Sequence, residues 1–171
     1  MRALVAGDLR LEPQTADHAD EMFVVLSDPA IYTYENAPPA SVDALRERYR
    51  RLESRRSADG REHWLNWVIR LASGELAGYV QATVMADGRA FIAYELASAH
   101  WGQGIARRAV QPVIDELVSH YGVTGLAAVA KRSNARSIGL LRRLGFTEAA
   151  PGSRARETVE ADEVVFERPI G

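Results

Sequence analysis

The segment Trp101-Gly102-Gln103-Gly104-Ile105-Ala106 is where residue type and spacing say most about chemistry. It lies between a strand that ends near Ala97 and the start of a long helix. A helix start presents backbone N–H groups without intrahelical acceptors and the positive end of the helix dipole. Glycines let a ligand approach that backbone closely, so the turn suits a diphosphate, with Arg107 and Arg108 adding positive charge. Lys131 is the one lysine and follows Ala130, which excludes a Walker-type loop. A dinucleotide fingerprint would need a third glycine where Arg107 stands, within an early βαβ unit, and this turn comes late. An ordinary tight turn would use the same two glycines. Context separates the readings, because further along a second strand runs into Asn134-Ala135-Arg136-Ser137 and another helix.

The elements that hold these residues follow from hydrophobic spacing. Residues 9–12 read as a first strand. Thr15 is a plausible N-cap, and Ala19, Met22, Phe23 and Leu26 form the stripe of a helix that stops at Asp28-Pro29. Ser41 opens a second helix with Leu45, Tyr49 and Leu52 on one side and six arginines (46, 48, 50, 51, 55, 56) on the rest. Those arginines suit either a solvated face or the wall of a groove for anionic acceptors. Residues 64–71, 76–85 and 90–97 read as an antiparallel meander with a tight Asp87-Gly88 turn. From Gly104 the period changes to that of a long helix, kinked at Pro112 and ended by Gly122. Residues 125–130 form a buried strand, 134–144 a helix ended by Gly145, and 162–168 a last strand. The order is βααβββαβαβ, with room for one more strand near Phe146.

With 171 residues, 47% of them apolar, the chain should form one domain over residues 1–171. No apolar stretch approaches the ~20 residues of a membrane span, and no secretory leader is evident, so a cytoplasmic protein is expected without membrane association. The charges, 21 basic against 23 acidic, nearly cancel, which argues against a nucleic-acid partner. The absence of cysteine removes disulfides, thiolate zinc sites and a cysteine nucleophile. His18, His63, His100 and His120 lack the spacing of a metal site, and no metal is expected.

The chain resembles the GCN5-related N-acetyltransferase (GNAT) superfamily, and within it the RimJ/RimL-like branch. The residues that carry the resemblance are Tyr94-Glu95-Leu96-Ala97 followed by the 101–106 turn, and Asn134-Ala135-Arg136-Ser137 followed by Leu144-Gly145-Phe146. Leu9-Arg10-Leu11, Asp28-Pro29, and Trp67-Val68-Ile69 ahead of Gly78 fit as well. The resemblance implies an α/β (α+β) GNAT fold: a mixed, largely antiparallel central sheet flanked by helices on both faces, with the family's strands 4 and 5 splayed. It departs from the family's phosphate signature at Trp101, where Gln or Arg is usual.

The resemblance further implies acetyl-CoA as cofactor and direct acetyl transfer to a primary amine, on a protein N-terminus or a small molecule, by a monomer or homodimer. The diphosphate would rest on backbone amides from Gly102 to Ala106 (Gly102, Gln103, Gly104, Ile105, Ala106), beside Trp101 and Arg107. Backbone near Leu96 and Ala97 would grip pantetheine, and a backbone N–H around Leu96 would meet the oxyanion. Asn134 would contact the cofactor arm, and Lys131, Arg132 or Arg136 would reach phosphate. Glu95 is the candidate base, against the alternative of a strand carboxylate paired with an arginine. Ser137 matches the serine near the sulfur in RimL-like members, against the alternative of a first-turn polar residue. Many relatives place an acidic Tyr seven residues after the Asn, and here that position is Leu141. Tyr32, Tyr34 and Glu35 lie where relatives shape the acceptor site. A non-catalytic acyl-CoA-binding module is the alternative function.

Overall fold

The computed structural model describes the chain except residues 35, 36, 154 and 156–158. Its centre is an eight-stranded sheet in the order β1-β2-β3-β4-β5-β6-β8-β7. The strands are β1 (Leu4–Ala6), β2 (Leu9–Pro13), β3 (His63–Arg70), β4 (Leu76–Val84), β5 (Arg89–Leu96), β6 (Gly125–Lys131), β7 (Thr147–Glu148) and β8 (Glu163–Pro169). Every neighbouring pair is antiparallel except β5 and β6. Helices α1 (Ala19–Val25) and α2 (Val42–Leu52) cover one face, packing Met22, Leu45 and Tyr49 on Val68 and Leu76. Helices α3 (Ile105–Tyr121) and α4 (Ala135–Arg143) cover the other, over Leu65, Trp67, Ile69, Val80 and Ile92. The expected fold is observed, with helices on both faces of a mixed, mostly antiparallel sheet.

Two differences from the sequence reading have simple causes. Strand β1 has three residues, too few for a period-2 signal, and its Leu4 pairs with Leu11. It shifts the count by one, so the family's splayed strands 4 and 5 are β5 and β6 here. The first helix begins as a 3-10 turn, Ala16–His18, in which the Thr15 N–H donates to His18 Nδ1 at 3.0 Å. Ser41 caps α2 as expected, accepting from the Ala44 N–H at 3.1 Å.

Helix α3 is a single helix through Pro112 and ends at Gly122, whose φ of 64° suits glycine. Ile105, Val110, Val113, Ile114 and Leu117 bury one stripe of it, each contributing roughly 1.5–3 kcal/mol by the usual transfer scale. That stripe fixes the direction in which the N-terminus of α3 points, so truncating Leu117 would disturb the 101–106 turn from a distance.

The feature that makes a site is where pairing stops. Strands β5 and β6 pair only through Arg89, Ala90 and Phe91 with Gly125, Leu126 and Ala127. Beyond Phe91, β5 continues to Leu96 against β4 alone, and β6 continues to Lys131 against β8 alone. The sheet therefore opens between them. On the β4 side the approach stays close: Gly78 faces Leu96, and a Cβ at Gly78 would collide with the Glu95 carbonyl.

Candidate active site

The opening between β5 and β6 continues into a cavity of about 730 Å³ that reaches both faces of the sheet. At one end stands the 101–106 turn. Gly102 and Gly104 have φ of 75° and 74°, and a Cβ built on either would meet nothing within 4 Å. Their glycine requirement is thus one of backbone conformation, and the space above them is open for a ligand. The first i to i−4 bond of α3 runs from the Arg108 N–H to the Gly104 carbonyl at 3.2 Å. The N–H groups of Ile105, Ala106 and Arg107 precede it and have no acceptor within the helix. With Gly102, Gly104, Ile105, Ala106 and Arg107 all on the cavity wall, these residues fit a diphosphate.

Gln103 does not line the cavity: its side chain turns away and donates to the Ala99 carbonyl at 2.8 Å. Arg108 is also turned away, paired with Asp8. Trp101 lines the cavity, but its indole braces the turn. Its Nε1–H donates to the Leu96 carbonyl at 2.9 Å, and the Arg136 guanidinium stacks 3.7 Å from the ring centroid. Arg136 thereby comes to the cavity from α4, as expected of it. Lys131 and Arg132 do not. Lys131 Nζ contacts Glu160, Asp162 and Glu163 at 2.6, 3.1 and 3.2 Å, and Arg132 lies 3.9 Å from Glu148.

Antiparallel alternation decides which backbone groups of β5 face the opening. The Ala97 N–H donates to the Ala77 carbonyl at 2.9 Å, and the Ala97 carbonyl accepts from the His100 N–H at 3.0 Å. Both polar groups of Ala97 are engaged and it lies off the wall, which removes it from the expected pantetheine grip. By the same alternation Leu96 and Tyr94 turn their N–H groups toward β6. The Leu96 carbonyl is held by Trp101, which leaves its N–H as the donor offered to the opening.

Side chains alternate too. Glu95 lies on the α1/α2 face and Tyr94 on the α3/α4 face, and both line the cavity. Tyr79 stands directly opposite on β4, its buried phenol close enough to feel the Glu95 carboxylate. Burial, reinforced by the Glu95 charge, pushes the Tyr79 phenol well above its ordinary value. Gln81 and Thr83 continue the same row along the wall. Tyr49 Oη, buried near Glu95, has no hydrogen-bond partner among the described residues.

On the other face, Asn134 caps α4, its Oδ1 accepting from the Ser137 N–H at 3.0 Å, and both residues line the cavity. The Ser137 hydroxyl lies 3.0 Å from the Tyr94 hydroxyl. Burial pushes the Tyr94 phenol up to about 12. Leu141 also lines the cavity and is 1% exposed.

Of the expected acceptor residues, Tyr34 lines the cavity with Ile31. Tyr32 does not; its hydroxyl donates to the Leu26 carbonyl at 2.6 Å and shapes the loop from within. Glu35 falls outside the described residues. No described residue of α2 reaches the wall. Arg46 of α2 is paired with Asp20 and Asp43 and Arg50 with Glu47, the Arg55 guanidinium beyond the helix is bonded to the Gln14 carbonyl, and the Arg48 charge is felt at Tyr32, Tyr49 and Tyr79, so α2 acts on the site through charge rather than as a wall. Asp28 joins the two loops at the cavity. Its Oδ1 accepts from the Ala30 N–H at 3.0 Å and its Oδ2 from the Ser98 N–H at 2.6 Å. Those bonds, to Ser98 first, hold the Asp28 carboxyl below its ordinary value. Sequence reasoning missed Tyr79, Gln81, Thr83 and Arg143 and gave Tyr94 no chemical role. Strand register was the signal that could have found the residues of β4 and β5, whereas Arg143 is the last residue of α4.

The family model described as an acetyltransferase (GNAT) domain matches residues 8–147. The uncharacterized N-acetyltransferase p20 of Bacillus licheniformis is 28% identical over 149 residues, covering 85% of this chain and 83% of that protein. Among solved structures, RimL, a ribosomal L7/L12 alpha-N-protein acetyltransferase in complex with coenzyme A, superposes with a TM-score of 0.82 at 17% identity. That match covers 98% of each chain. The ribosomal-protein-S5-alanine acetyltransferase of Vibrio fischeri gives 0.80 at 16% identity, covering 98% of this chain and 96% of that one. Identities this low speak for the fold. No described helix is long and apolar enough to cross a membrane. Since the family match spans most of the sequence and the opened sheet ends at a turn fit for a diphosphate, the chain belongs to the GNAT acetyltransferases and is an N-acetyltransferase using acetyl-CoA.

Proposed function

We propose that residues 1–171, acting as one domain, transfer acetyl directly from acetyl-CoA to a primary amine held in the same complex. The observation that carries the reading is the passage through the sheet: the diphosphate-fitting turn lies at one end, and the Glu95 carboxylate lines the same cavity on the opposite face. Acetyl-CoA supplies an activated acyl thioester. Glu95, opposite Tyr79, takes the proton that the amine must lose, directly or through a water. The Leu96 N–H is offered to the carbonyl oxygen as negative charge develops there. Ser137 offers its hydroxyl to the sulfur. No side chain forms a covalent intermediate, because the amine is the nucleophile.

An α-amine suits one carboxylate base better than a lysine side chain does, since its ordinary pKa of about 7.7–8.0 lies far below the ~10.4 of lysine. The alpha-N-protein and S5-alanine specificities named for the fold neighbours support the same class, and small-molecule amines remain within it. The test is thiol release from acetyl-CoA across a panel of peptides and small amines. Amine-dependent release with intersecting initial-rate lines is expected. CoA binding without amine-dependent release would instead identify a binding module.

A further inference from the structure

We propose that Tyr94 is a positioning residue for departure of the CoA thiolate: its phenol donates to Ser137 Oγ and turns the serine proton toward the sulfur. The inference rests on the transfer reading above and deepens it. At position 141, where an acid would be expected on α4, Leu141 can donate nothing. A hydroxyl reaches the same cavity from β5 instead. Tyr94 Oη stands 3.0 Å from Ser137 Oγ and 3.4 Å from the Ser137 carbonyl oxygen.

Those two distances give the pair two arrangements. Without an outside acceptor, Ser137 donates to Tyr94 and Tyr94 donates to the Ser137 carbonyl. An anionic acceptor in the cavity favours the reverse, with Tyr94 donating to Ser137 and the serine proton released outward. Burial raises the Tyr94 phenol, so it keeps its proton wherever the acceptor amine is neutral and works as a permanent donor. Arg143, on the wall of the same cavity, adds a positive charge felt at the Tyr94 hydroxyl. Arg143 folds back along α4 over Gly139, where an added Cβ would lie 3.6 Å from its Nη1. Glycine is a poor helix residue, and here it leaves room for that return. Among the described residues the other charged side chains on this wall are Arg107, Arg136 and, on the far face, Glu95, with the titratable His100 beside the turn.

The balance is complete. The amine nitrogen bonds to the acetyl carbon, the C–S bond breaks with its electron pair moving to sulfur, and the amine proton goes to Glu95. Sulfur leaves as a thiolate hydrogen-bonded by Ser137 and collects its proton from solvent. Tyr94 and Ser137 end as they began.

The test uses the wild type, Tyr94→Phe, Ser137→Ala and the double variant, each checked for folding by thermal melting. The first readout needs no acceptor: the thiol of bound CoA is titrated by thiolate difference absorbance against CoA-free protein. Loss of a hydrogen bond to a charged group should weaken the bound thiol as an acid about tenfold in either single variant, and no further in the double. The second readout is turnover: kcat should fall about tenfold with KM for acetyl-CoA within about twofold. An unchanged thiol titration in Tyr94→Phe, or effects that multiply in the double variant, would overturn the proposal. If wild-type protein binds CoA yet releases none with any amine, the transfer reading fails while the titration still decides the hydroxyl pair. If CoA does not bind at all, both fall.

Discussion

The two faces of the sheet furnish the cavity with different materials. On the α3/α4 face the wall that fits a diphosphate is main chain: open N–H groups at the start of α3 and two glycines in left-handed conformation. On the α1/α2 face it is side chain: Glu95, Tyr79, Gln81 and Thr83 in two facing strands, with Ile31 and Tyr34 from the loop above. A main-chain wall depends on few side-chain identities and suits a ligand common to a whole family. A side-chain wall can be rebuilt residue by residue, and under the proposed transfer that is the wall we assign to acceptor choice.

This contrast can be broken by substitution. The largest loss is expected from Glu95→Gln. A general base is worth about 100-fold or more in kcat, with acetyl-CoA affinity preserved. The deficit should be greatest at low pH, where the amine most needs deprotonation, and a pH-rate profile parallel to wild type would dismiss Glu95 as the base. Gly104→Val should act on the other side of the sheet. Forcing a branched residue to φ 74° and filling the space above should weaken acetyl-CoA binding about tenfold by calorimetry, with unchanged affinity refuting the backbone cradle. Arg136→Ala removes a half-exposed stack on Trp101 and should cost about threefold in the same measurement.

The smallest effect is assigned to Asp28, which belongs to neither wall but ties the two together. Its carboxyl is depressed in the folded state, so its contribution is present at neutral pH and is lost as pH falls below the ordinary carboxylate range. Asp28→Ala should lower the melting temperature slightly at pH 7, by an amount that shrinks as pH falls below the ordinary carboxylate range, and should raise the acceptor KM more than that of acetyl-CoA. Equal shifts in both constants would mean that the two loops do not act as separate halves.

The same contrast explains what could be read from the sequence. Gly102, Gly104 and the stripe from Ile105 to Leu117 are local signals, and the turn they mark does stand on the cavity wall. Asn134 and Ser137 followed because a helix cap has a local signature as well. The roles of Tyr79 and Tyr94 are not local. They depend on which strand lies opposite and on which face each residue turns to, quantities set by the β4–β5 register and by the early end of β5–β6 pairing. Charge was misread for the same reason. Lys131 and Arg108 were counted by type, while their acidic partners, Glu160 to Glu163 and Asp8, come from other parts of the fold.

Lys131 has a consequence of its own. An enzyme whose substrates are neutral amines risks consuming its own side chains, and this sequence holds one lysine. Three carboxylates enclose that ammonium, and their hydrogen bonds, Glu160 first, raise its pKa and keep it charged. The protein thus presents its own active site with no lysine competitor for the acetyl group, and prolonged incubation with acetyl-CoA should leave Lys131 unmodified by mass spectrometry.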